Sequence, residues 1–162
     1  MQIRRFPIIA TVLGLALWGC GGGSSNNDTG ELPDEGRSYI AESQQPIYLS
    51  SPPTSGPQVP KAPAPGFYTT QQAPSALVNA LFHSNVVIYY DPATTSAADI
   101  ASLKTLAAAH TGAYSGVVVT PRTDAENTII LTAWRRMLRL NGYDQSAIQT
   151  FLSMKTMALG LE

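Results

Sequence analysis

The 162-residue chain has one cysteine, Cys20, and two histidines, His83 and His110. Both scarcities exclude chemistry before any motif is read. A lone thiol cannot close an internal disulfide, and if it is committed elsewhere no thiolate metal site or cysteine nucleophile remains. Two imidazoles limit metal ligation and general-base chemistry in the same way. Charge is scarce as well: 13% of residues are charged, ten basic against eleven acidic, so a basic nucleic-acid interface is not expected. The N-terminal apolar stretch, Phe6 to Trp18, falls short of the roughly 20 residues a spanning helix needs.

What is present begins with that stretch. Arg4 and Arg5 precede it and Gly19-Cys20 follow it, the order of a secretory signal over residues 1–19. Leu17-Trp18-Gly19-Cys20 resembles the lipobox of bacterial lipoproteins. The resemblance implies diacylglycerol on the Cys20 thiol, cleavage before it and acylation of the freed amine; the competing reading is an ordinary signal peptide with an incidental cysteine. One acyl chain binds a membrane only marginally, at about 0.8 kcal/mol per buried methylene, so several chains are needed to hold the protein there. Gly21 stands where an aspartate often marks inner-membrane retention, so the outer membrane, facing the periplasm, is the expected home in a Gram-negative host. With Arg4 and Arg5 removed, the 143 remaining residues carry a net charge of −3. That is enough chain for one modest domain.

Residues 20–45 are rich in Gly, Ser, Asn, Asp and Glu and read as a flexible tether; the folded domain is expected over 46–158. Ile47-Tyr48-Leu49 suggests a short edge strand, after which Pro52, Pro53, Pro57, Pro60, Pro63 and Pro65 impose an extended loop. Pro74-Ser75 opens a short helix to about His83, with Ser75 as N-cap. Val86–Tyr90 is apolar on both alternating faces, as in a central strand. Ser96 and Asp99 have capping-box spacing, followed by Ile100, Leu103 and Ala107 on one helical face. Val117–Val119 and Asn127–Trp134 read as further strands, expected to pair antiparallel with each other, and Met137–Leu140 as a fourth. Asp144 caps a last helix bearing Ala147, Ile148, Phe151 and Leu152. The expectation is a single compact α+β domain with a mixed sheet of about four strands and two to three helices.

Tyr48-Leu49-Ser50-Ser51-Pro52-Pro53-Thr54-Ser55-Gly56-Pro57, then Gly66-Phe67-Tyr68, Leu81, His83, Val86–Tyr90 and Leu131-Thr132-Ala133-Trp134 resemble an uncharacterised family, DUF3105. That family usually places a histidine after the Thr-Ser-Gly-Pro run and a His-Asn-Leu-Glu-His-Gly segment before the central strand. Imidazoles and a carboxylate grouped by a short helix suit a metal. Here Gln58 stands at the first histidine, Asn79 at the second, Phe82 at the glutamate and Ser84 at the glycine. Only His83 is retained, so the resemblance implies a degenerate ligand site at His83, Gln58 and Asn79, with no metal and no cofactor expected.

Other candidates have ordinary readings beside the functional ones. His83 reads as a partly buried ring closing its helix through a backbone hydrogen bond, or as the remnant ligand. His110 reads as a helix C-terminal ring favoured by the helix dipole. Ser115 lacks nucleophile-elbow spacing, and Asp124 and Glu126 read as solvated turn charges. Strict alternation would put Arg136 on the side of Trp134, Leu138 and Leu140, so either a bulge re-aims it or it pairs with a carboxylate; a bulge or turn is favoured there over an anion site built with Arg135 and Arg139. The proline-rich loop with Tyr68 and His83 reads equally as a recognition surface or as a rigid strap. The function expected is a non-enzymatic, membrane-anchored lipoprotein acting as a binding or envelope-associated module; the alternative is a metal-binding protein using His83 and unidentified ligands.

Overall fold

The computed structural model describes residues 27–123 and 127–158. Cys20, the signal segment, Asp124 and Glu126 lie outside the described residues. Among those described, three helices accompany one six-stranded mixed sheet, an α+β arrangement in which the sheet is two strands larger than expected.

The strands are β1 (Asn27–Glu31), β2 (Gly66–Phe67), β3 (Val86–Tyr90), β4 (Val117–Pro121), β5 (Ile129–Ala133) and β6 (Arg136–Leu140), in the spatial order β1-β6-β5-β3-β4-β2. The helices are α1 (Pro74–Phe82), α2 (Ala97–Ala109) and α3 (Gln145–Ala158). Every residue of β3, β4 and β5 is buried, because both faces of the sheet are covered. On one face Val86, Ile88, Val117, Val119, Ile129 and Leu131 meet Leu103, Leu106 and Ala107 of α2 and Ile148 and Phe151 of α3. On the other, Val87, Tyr89, Val118 and Ile130 meet Leu77, Ala80 and Leu81 of α1.

Two helices start where side chains satisfy their first free amides. Ser96 Oγ accepts from the Asp99 N–H at 3.1 Å, and Asp144 Oδ1 from the Ala147 N–H at 2.9 Å. The start of α1 corrects the expected one. Ala73 is its N-cap, without a side-chain bond, Pro74 occupies the first turn, and Ser75 lies buried inside the helix. A proline ring presets φ for the first helical position and has no amide to cap there, so a side-chain cap is less needed.

The crossover from β3 through α2 to β4 is parallel, with Val86 opposite Val117 and Tyr90 opposite Pro121. The expected antiparallel pairing of the Val117 and Ile129 strands is not formed. β5 pairs instead with β3, Val87 opposite Thr132 and Tyr90 opposite Ile129. The physical reason lies in β3: with both faces covered, its backbone groups are out of reach of water and both its edges must be paired.

Ile47–Leu49 does not form the expected edge strand. The sheet edges belong to Gly66–Phe67, parallel to β4, and to Asn27–Glu31, antiparallel to β6. Regular structure therefore begins within the stretch whose composition reads as a tether. Leu32 is held too, its amide donating to the Arg135 carbonyl at 2.7 Å.

The first part of the proline-rich run, residues 52–59, is a largely buried strap. Pro52 to Gly56 and Gln58 to Val59 are buried, and the strap is sewn to residues 33–40. Gly56 N donates to Gly36 O at 2.9 Å, Gln58 N to Ser38 O at 2.9 Å, and Ile40 N to Gln58 O at 2.9 Å. Gly56 has φ +118°, and a side chain there would press on the Tyr48 ring, 3.1 Å from an added Cβ, so glycine is required twice over.

Candidate functional site

The site begins with α1, whose face toward the strap carries Asn79. The strap brings Gln58 to meet it: Asn79 Nδ2 donates to Gln58 Oε1 at 3.2 Å. Gln58 is 0% exposed and Asn79 1%. The Gln58 amide also donates to the Arg37 carbonyl at 3.3 Å. Two of the three residues singled out in sequence are thus in contact, as a closed amide pair.

His83 lies one turn beyond Asn79 and is the C-cap of α1, its amide donating to the Asn79 carbonyl at 3.1 Å. Its ring is half-buried and makes edge contacts with Phe82 at 5.3 Å and Tyr114 at 6.1 Å between centroids. The helix then closes in a left-handed turn. Ser84 has φ 65°; its amide donates to Leu81 O, and the Asn85 amide to Ala80 O. This is the paired bonding of a Schellman cap, where glycine is the usual residue. Asn85 extends the closure, donating to Ala113 O at 3.2 Å and accepting from the Gly116 N–H at 2.9 Å.

Phe82, beside His83 at the end of α1, joins a row of rings. Trp134 meets it edge-on at 5.6 Å, and the Arg37 guanidinium stands 5.9 Å from its centroid. Trp134, Phe82, His83 and Tyr114 therefore form a chain of neighbouring rings, with Tyr114 70% exposed. Sequence reasoning missed this group. Its members come from a helix end, a hairpin turn and a loop, and only the dipeptide Phe82-His83 is local.

The arginines sort into separate roles. The chain turns at Trp134-Arg135, between Ala133 and Arg136, so the turn reading holds at this point. Trp134 faces the α1 side, while Arg136 Nη2 reaches Met154 Sδ of α3 at 3.6 Å. Arg135 has φ 59° and acts as a clamp. Its amide donates to Thr54 O at 3.0 Å, its Nε to Leu32 O at 3.0 Å, and its Nη1 pairs with Glu31 at 3.1 Å. Arg139 Nη2 donates to Ser51 O at 3.2 Å. His110 Nδ1 sits 2.9 Å from the Leu106 carbonyl and so carries its proton on that nitrogen, closing α2.

Tyrosines dominate the electrostatics. Burial, with the Glu35 carboxylate adding to it, pushes the Tyr48 hydroxyl up to about 12. Burial raises Tyr89 further, outweighing the nearby Thr132 hydroxyl and Arg122. Among the described residues no three His, Cys, Asp or Glu side chains gather closely enough to hold a metal. The arrangement offers ring faces, one imidazole and one guanidinium for contact.

No curated protein and no solved structure matches the chain. A family model does, described as a protein of unknown function (DUF3105), over residues 40–159. That range spans the strap, α1 with its closing turn, and the sheet from β2 to β6, so the chain belongs to the DUF3105 family.

Proposed function

We propose that this protein is a lipid-anchored module of the cell envelope, held through Cys20, that binds a partner and has converted the ligand position of its relatives into structure. The observation that carries the second half is the Asn79–Gln58 bond of 3.2 Å between buried amides. Groups standing where the family places imidazoles satisfy each other, and neutral amides with one histidine are weak donors for a transition metal. The Leu17–Cys20 motif supports the first half, with the periplasmic face of an outer membrane as the location in a Gram-negative host.

The binding surface in this reading is the ring row from Trp134 to Tyr114. It lies at the end of the sheet where β3 and β4 begin and β5 finishes. Asn27, opposite Arg139, lies at the other end, so a partner would be met away from the anchor by roughly one strand length, about 15 Å.

The test uses cells expressing the full chain. Wild type is expected in the membrane fraction with diacylglycerol on Cys20 by mass spectrometry, and Cys20→Ala without it. Metal analysis addresses the competing reading: stoichiometric zinc or copper retained through dialysis, and lost in His83→Ala, would replace the binding module by a metal carrier.

A further inference from the structure

Ile47 is 97% exposed and Leu49 81%. Between them Tyr48 turns inward, its hydroxyl donating to Pro57 O at 2.7 Å and its ring lying against Gly56. In extended chain an inward residue sends its two neighbours outward, so the anchoring of Tyr48 holds both aliphatic side chains in solvent. Single exposed apolar residues are ordinary; here two share one short loop and cover none of the core.

The position of that loop identifies what it meets. Ser51, two residues past Leu49, accepts from Arg139 through its carbonyl at 3.2 Å and from Arg122 through its hydroxyl at 2.8 Å. Arg139 is the strand partner of Asn27. Only residues 21–26 separate Asn27 from Cys20, a span of at most about 25 Å even at full extension. The loop is therefore on the side of the domain where the chain leaves for its anchor. Two arginines, Arg122 and Arg139, stand on the same rim, and the Glu35 carboxylate accepts from the Leu49 amide at 2.8 Å.

We propose that Ile47 and Leu49 enter the boundary between lipid headgroups and acyl chains, with Arg122 and Arg139 beside the headgroup phosphates. This second contact fixes how the domain sits on the bilayer and turns the ring row away from it. It rests on the lipid-anchor reading of Cys20.

The test uses the full chain, processed in a lipoprotein-producing host and reconstituted into phosphatidylethanolamine–phosphatidylglycerol vesicles containing spin-labelled lipid. Leu49→Cys and, as a control in the exposed loop before β4, Thr111→Cys each carry a polarity-sensitive dye. The dye at 49 is expected to shift to the blue and be quenched several-fold more than the dye at 111. Equal quenching in vesicles that carry the protein on flotation overturns the insertion and leaves the anchor standing. Protein that fails to float overturns the anchor reading, and the insertion with it. A concentration-dependent blue shift at 49 in Cys20→Ala protein without vesicles assigns the loop to a second copy instead and overturns the proposal.

Discussion

Asn79 and Gln58 meet amide to amide at 3.2 Å, one from the middle of α1 and the other from the strap. The bond joins two layers that share no sequence neighbourhood. Replacing Asn79 with Ala leaves the Gln58 oxygen buried and unpaired, at an expected cost of about 1–3 kcal/mol. The double change Gln58→Met/Asn79→Leu removes both partners and is expected to recover part of that loss. Urea denaturation of wild type, Gln58→Met, Asn79→Leu and the double variant measures it; a double variant less stable than the sum of those two single changes would contradict the pairing.

Ser84 has a left-handed backbone at a position where an L side chain is disfavoured. Ser84→Gly is expected to stabilise the fold by about 1 kcal/mol, since the cap bonds to Leu81 and Ala80 are already made by backbone. The denaturation midpoint should rise with an unchanged slope. Ser84→Val should lower it.

Arg135 ties the β5–β6 turn to Leu32, Glu31 and Thr54. The Glu31 carboxylate is 72% exposed on its side chain, so that ion pair contributes little, and most of the effect belongs to the Nε bond. Arg135→Ala is expected to cost about 1–2 kcal/mol, little of it mimicked by adding salt to wild type. Arg135→Lys should not rescue, because lysine keeps the charge but lacks the Nε–H. Hydrogen exchange at the Leu32 amide reports directly on the clamp.

Alkali should unfold the protein through its tyrosines. Burial and the Glu35 carboxylate push the Tyr48 hydroxyl up to about 12 in the fold, against about 10 in an unfolded chain. Between those values the unfolded state has lost a proton that the folded state keeps. Stability is thus fully present below about pH 10 and falls as pH rises toward 12. Tyr48→Phe should flatten that decline in chemical denaturation at pH 9 to 12, leaving the share that belongs to Tyr89, Tyr90 and Tyr143, which burial also raises. An unchanged slope would remove Tyr48 from the cause.

Much of the fold is legible in local pattern. Val86–Tyr90 announces a central strand because both its alternating faces are apolar, and Ser96 and Asp144 mark helix starts because capping is settled within three residues. Edges are not legible this way. Asn27–Glu31 and Gly66–Phe67 pair without an apolar pattern of their own, while Ile47–Leu49 has such a pattern and remains loop. Backbone hydrogen bonding to an available neighbour decides these cases, and the neighbour is remote in sequence.

The candidate site divides along the same line. Gln58, Asn79 and His83 were singled out by residue identity alone, against the pattern that the resemblance implies. That Gln58 and Asn79 bond while His83 turns to Tyr114, and that Trp134 and Phe82 extend the row, depends on packing between the helix, the turn and the loop.

By itself the sequence determined the lack of free sulfur chemistry if Cys20 is lipidated, the family, the helices and the central strands. These rest on residue identity and short-range periodicity. Tertiary structure decided that β5 pairs with β3, that residues 52–59 of the proline run are a buried strap, and that Arg135 is a clamp. The reason is that burying both faces of β3 leaves its edges no partner but protein, and long-range backbone pairing obeys that demand over local pattern.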